Sequence, residues 1–179
     1  TCSAEGIVLD GDDDFVSIAS PEDPWLFGGP TTFEIYVKTP ITVTKNSAIF
    51  DFEGDQIPTK EVLSLGTNNV DSQMQVTVIK PWLAGGETTM NHYSWAGGAW
   101  NHVVFSLEGK RWTIYNEEVK HTEELAFPDH DGTVEPEVLE HPQVWLGRNS
   151  LIKSALNFTG TIAYLKVFHN KVLTQEEVN

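Results

Sequence analysis

Residues 100–122, WNHVVFSLEGKRWTIYNEEVKHT, leave few folds open. Val103, Phe105 and Leu107 alternate with His102, Val104 and Ser106. Beyond a Glu108-Gly109-Lys110 turn, Trp112 and Ile114 alternate with Arg111, Thr113 and Tyr115. Successive side chains of an extended chain point to opposite faces, so a period of two specifies strands with one buried face. Asn116-Glu117 makes the second reversal, Asn being one of the few residues besides Gly that tolerates positive φ. The spacing predicts an antiparallel meander with an aromatic and aliphatic inner face.

The same pattern recurs along the chain. Ile7 and Leu9 precede the acidic turn Asp10-Gly11-Asp12-Asp13-Asp14, and Phe15, Val16 and Ile18 follow it. Over residues 32–38, Phe33, Ile35 and Val37 point one way and Thr32, Glu34, Tyr36 and Lys38 the other. Residues 41–43, 48–52, 62–66, 73–78, 144–147 and 159–168 read as further strands. In the last, Thr161, Ala163, Leu165 and Val167 share one face and Ile162, Tyr164 and Phe168 the other, which predicts a strand covered on both sides. Thr174-Gln175-Glu176-Glu177 is a capping box that opens a short terminal helix. Strand after strand at such spacings is the pattern of a sandwich.

Two segments stand apart. Residues 80–98, KPWLAGGETTMNHYSWAGG, hold four glycines and a proline, which predicts no regular element. They also carry Trp82, Tyr93 and Trp95, either packed over the sandwich or presented as flat faces for a sugar or peptide. Residues 123–142 hold seven acids and three prolines. Within them Asp129-His130-Asp131-Gly132-Thr133-Val134-Glu135 sets oxygen side chains at alternate positions around a Gly turn, like the front half of a calcium loop that Pro136 interrupts. The Asp run at 10–14 repels itself unless solvated or bridged by a cation. Both acidic segments therefore read as solvated turns or as calcium loops, with Asp12, Asp13, Asp129 and Asp131 as candidate ligands.

Charge narrows the partners. Twenty-six acids against eleven Lys and Arg give a net charge of -15 with no basic cluster, which disfavours nucleic acid and anionic membranes and attracts cations. No apolar run approaches the ~20 residues of a membrane span. At 179 residues the expectation is one domain, 1–179, and the start at Thr1 suggests a mature or excised piece of a larger extracellular protein. Cys2, the only cysteine, is a free thiol or a bridge to another chain or segment. Asn157-Phe158-Thr159 is a glycosylation sequon, which fits a secreted or cell-surface protein.

Taken in order, Asp10-Gly11 with Asp14-Phe15-Val16, Thr32-Phe33-Glu34-Ile35, Trp100-Asn101-His102-Val103, Ile114-Tyr115-Asn116, Leu146-Gly147-Arg148, Phe158-Thr159-Gly160-Thr161-Ile162 and Leu173-Thr174-Gln175-Glu176-Glu177 resemble laminin G-like and pentraxin-like domains. The resemblance spans nearly the whole chain. It implies an all-β fold, a concanavalin A-like jelly-roll β-sandwich of two curved antiparallel sheets with a short C-terminal helix. It also implies calcium and ligand contacts from acids after residues 48–52, where Asp55 fills the role, and just after residues 144–147. The second position reads Gly147-Arg148-Asn149-Ser150 and holds no acid, and Ala163 stands where many relatives carry one.

Catalysis finds little support in the residues. Glycoside hydrolases of this fold use two carboxylates on one strand, as Glu-x-Asp-x-Glu, and the sequence contains no such run. His92, His102, His121, His130, His141 and His169 are scattered without metal-ligand spacing. The expected function is a non-catalytic extracellular module that recognises a glycan or a protein surface with the help of Ca2+. Trp82, Tyr93 and Trp95 would stack on the ligand, Asn149 would add a polar contact, and Asp12, Asp13, Asp55, Asp129 and Asp131 would meet the cation. The alternative is a structural module that assembles a larger extracellular polymer.

Overall fold

The computed structural model describes residues 2–18, 29–43, 47–53, 62–67, 73–79, 87–94, 96–116, 119–124, 143–148 and 156–178. In chain order the strands are Cys2–Ser3 (β1), Gly6–Asp10 (β2), Val16–Ile18 (β3), Thr31–Lys38 (β4), Ser47–Glu53 (β5), Val62–Thr67 (β6) and Gln73–Ile79 (β7). Glu87–Ser94 (β8), Trp100–Glu108 (β9), Arg111–Asn116 (β10), Val119–Glu124 (β11), Gln143–Leu146 (β12), Leu156–Asn157 (β13) and Thr159–His169 (β14) follow, before a helix at Gln175–Val178 (α1). One sheet runs β1-β2-β14-β4-β9-β10-β11. The other runs β3-β12-β5-β6-β7-β8, with β13 beside β5. Apart from the parallel β13–β5 pair, all pairing is antiparallel, as in a jelly-roll sandwich.

The meander at 100–122 is β9-β10-β11, and its inner face supplies Val103, Phe105, Leu107, Trp112 and Ile114 to the core. Gly109 at φ 56° turns β9 into β10. Aromatic rings bridge the two sheets. Phe33 on β4 stacks on Phe105 at 4.8 Å and on Phe50 of β5 at 5.5 Å, while Phe52 meets Phe33 edge-on at 5.5 Å. Each fully buried Phe of this kind contributes several kcal/mol, on the order of 3–5 when truncated to Ala.

Three expectations change. Residues 41–43 form a bend instead of a strand: Gly98 N–H donates to the Thr39 and Pro40 carbonyls, and Ile41 is 87% exposed. The glycine-rich stretch 80–98 contains β8, paired residue by residue with β7. The two segments flanking the Asp run form as expected, β2 in one sheet and β3 in the other. In β14 the register shifts between Ile162 and Tyr164, so Ile162, Leu165 and Val167 all pack on the core. A bulge adds one residue to one strand and so changes which parity faces inward. Tyr164, Lys166 and Phe168 then share the outer face, instead of β14 being apolar on both sides by simple alternation.

Candidate functional site

The outer face of the first sheet divides into two halves. One half is covered by the C-terminal segment: Leu173 packs on Val104 and Tyr115, with Phe168 and Val178 against the same group. The Thr32 hydroxyl donates to the Lys171 carbonyl at 2.8 Å, and the Leu173 N–H donates back to it at 3.2 Å. The capping box has formed as the sequence predicts, with Thr174 N–H donating to Glu177 Oε2 at 2.9 Å and Glu177 N–H donating to Thr174 Oγ1 at 3.3 Å. Lys171 adds an ion pair to Glu177 at 2.6 Å, and these contacts pull the Glu177 carboxyl down to about 2.

The other half is an aromatic ladder. Tyr36 on β4 lies between Trp100 of β9, at 4.7 Å and 16° between planes, and Tyr164 of β14, at 5.8 Å and 28°. Lys38 lies over the Trp100 ring at 5.8 Å and Lys166 over the Tyr164 ring at 4.4 Å. Beneath them Glu34 Oε1 accepts from Tyr164 Oη at 2.8 Å and Lys166 Nζ at 3.1 Å, and pairs with His102 Nε2 at 3.2 Å. Burial alone would raise the Glu34 carboxyl, but the donors Tyr164, Lys166 and His102 outweigh it and hold it below the usual carboxylate range. Burial, reinforced by the bond to Glu34, pushes the Tyr164 hydroxyl upward. Ring faces here are occupied by neighbouring rings and lysines, so the ladder is a packed surface and offers little open face to a ligand.

The second assembly is the corner where the chain crosses from β2 to β3. Carboxylate oxygens of Asp10, Asp13 and Asp14 lie within 4.8 Å of one another. Asp12 N–H donates to Asp10 Oδ1 at 2.9 Å, the Asn157 amide donates to the Asp12 carbonyl at 2.6 Å, and the Thr159 hydroxyl donates to the Asp10 carbonyl at 3.2 Å. Asp13 therefore belongs to the carboxylate cluster, whereas Asp12 serves through its backbone. The sequon residue Asn157 has its amide engaged in bracing the turn. Gly147, at φ 84°, lies where any side chain would strike Leu9, and its N–H donates to the Ile49 carbonyl at 2.9 Å. Antiparallel pairing of β12 with β3, Leu146 opposite Val16, brings the end of β12 against the corner. There the Arg148 guanidinium sits 5.0 Å from the ring centroids of both Phe15 and Trp145, whose rings meet edge-on at 5.5 Å.

Sequence reasoning found the acidic corner but not its neighbours. Phe15 carries a usable signal, because Val16 and Ile18 are in core phase and Phe15 shares the phase of exposed Ser17. Of the stacking candidates, Tyr93 is in β8, and Trp82 and Trp95 are outside the described residues. Asp55, Asp129, Asp131 and Asn149 are outside them as well.

Two antiparallel sheets with a short terminal helix are the architecture this chain shares with laminin G domains. Residues 10–179 match the laminin G-type family of the concanavalin A-like lectin/glucanases superfamily, and the chain belongs to it. No curated protein matches. Among solved structures, domain 4 of AbnA, a GH43 extracellular arabinanase from Geobacillus stearothermophilus in complex with arabinotriose, is 21% identical with a TM-score of 0.66, covering 96% of this chain and 73% of that one. Domains LG4-5 of the mouse laminin α1 chain give 9% identity and a TM-score of 0.64 over 93% of this chain and 42% of that one. The CBM40 of Ruminococcus gnavus IT-sialidase, bound to α2,6-sialyllactose, gives 15% and 0.62 over 97% and 95%. At these identities the likeness is one of fold.

Proposed function

We propose that this chain is a non-catalytic extracellular module that recognises glycans, with Ca2+ held at the corner between β2 and β3. The observation that carries the reading is the convergence of the Asp10, Asp13 and Asp14 carboxylates on an exposed, backbone-braced turn. Oxygens that ligate one calcium at about 2.3–2.6 Å lie within about 5 Å of each other, and these lie within 4.8 Å, so the donor set suits a hard cation. Carboxylate acceptors and aromatic rings are also the groups with which proteins hold sugar hydroxyls and C–H faces. Two structural neighbours carry bound oligosaccharides, arabinotriose and sialyllactose, on the same fold. Recognition without turnover is supported by the sequence, which holds no Glu-x-Asp-x-Glu run of the kind that sets two carboxylates across a scissile bond.

The test is a thermal melt with Ca2+ and with chelator, followed by binding to an oligosaccharide panel. Calcium is expected to raise the midpoint by about 2–4 °C per kcal/mol of binding stabilisation, and the Asp13→Asn, Asp14→Asn double variant to lose that rise. A melt indifferent to calcium removes the cation from the account. Absence of any glycan binding removes the recognition reading, and release of product from β-glucan or arabinan removes the non-catalytic one.

A further inference from the structure

A sugar ring packs on an aromatic side chain only where a ring face is open. Among the described side chains Phe15 is the one exposed Phe, Tyr or Trp, at 42%. The ladder rings Trp100, Tyr36 and Tyr164 are only half-exposed and have neighbouring rings and lysines on their faces. Phe15 is held differently. One of its faces carries Arg148, its edge contact with Trp145 fixes its tilt, and it follows directly after Asp14 of the carboxylate cluster. Arg148 is itself exposed, and its position over two rings orders a long, flexible side chain while leaving the N–H fork available at the surface.

We infer that Phe15 and Arg148, with Trp145 behind them, form the sugar contact of this protein, and that the sugar they take is neutral. The inference rests on the glycan reading above. Phe15 supplies the apolar platform for the C–H face of one sugar residue, Arg148 donates to its hydroxyls, and the Asp10, Asp13 and Asp14 cluster with its cation borders the contact. Neutrality follows from charge. Even with Ca2+ on the three carboxylates the corner, Arg148 included, carries no net positive charge, and the chain around it has a net charge of -15, so a carboxylated or sulfated sugar finds no net attraction. A polyol gains from the ring face and the Arg148 donors without it.

The experiment uses wild type, Phe15→Ala and Arg148→Lys on an immobilised panel of neutral oligosaccharides, arabinotriose among them, beside acidic ones, sialyllactose among them. Wild type is expected to bind neutral members only. Phe15→Ala is expected to lose affinity on the order of tenfold or more while its melting midpoint stays within about 4 °C of wild type. Arg148→Lys keeps the charge and loses the planar fork, and is expected to weaken the same binding. Neutral binding that survives Phe15→Ala intact overturns this site and leaves the glycan reading standing. Binding confined to acidic members overturns the neutral assignment. Binding to no member overturns the glycan reading and this inference with it.

Discussion

The ladder on the outer face of the first sheet and the corner beyond β2 are built from the same parts, aromatic rings with cations over them, yet they differ in what remains open. In the ladder Tyr36 is enclosed between Trp100 and Tyr164, lysines cap both ends, and Glu34 gathers Tyr164, Lys166 and His102 beneath. Its groups are spent on one another. At the corner one cation serves two rings, and Phe15 keeps 42% of its surface in solvent. Aromatic content alone therefore does not mark a binding face. The distinction lies in whether ring faces and polar atoms are already satisfied within the fold, as the Thr32–Leu173 clasp and the ladder satisfy theirs.

The contrast predicts opposite responses to substitution. The largest stability effect is expected at the ladder: Trp100→Ala, which removes a half-buried ring and its stack on Tyr36, should cost about 2–3 kcal/mol in chemical denaturation while sparing sugar binding. Glu34→Gln comes next, at about 1–3 kcal/mol near neutral pH, since the charged acceptor for Lys166 and His102 is gone. Its pH dependence has a definite sign. The folded Glu34 carboxyl lies below its ordinary value of 4.5, so its contribution is present above about pH 4.5 and is lost as pH falls through the folded value. Acid titration of stability should therefore be shallower in Glu34→Gln than in wild type. The smallest stability effect belongs to the corner, where Phe15→Ala gives up one edge contact and one cation contact, about 0.5–1 kcal/mol, and acts chiefly on binding.

Much of the fold was legible because period-two alternation is a local property. The meander at 100–122, the β4 faces and the capping box at Thr174 all stand as the residues predict. The failures have identifiable causes. The bulge after Ile162 cannot be counted from sequence, because it depends on how β14 registers against Tyr36 and Val37. Glycines flanking β8 masked a strand whose pairing is supplied by β7. Pro40 and the Gly98 contacts turn the β-branched triplet at 41–43 into a bend. Of the site, the acidic run was visible as composition. Its partners were not, because Phe15 and Arg148 lie far apart in sequence and meet where β12 pairs with β3. The ladder was hidden for the same reason, although aromatics on the polar faces of β4 and β9 were a signal that could have been followed.

The central claim is that recognition belongs to the open corner and stability to the closed ladder. Its most direct test measures Phe15→Ala and Trp100→Ala side by side, each for its melting midpoint and for affinity to the neutral oligosaccharide that wild type binds best. The account predicts a crossed result: Phe15→Ala melts close to wild type and loses the sugar, whereas Trp100→Ala melts early and, below its midpoint, binds as wild type does. Sugar binding lost in folded Trp100→Ala and kept in Phe15→Ala would contradict it.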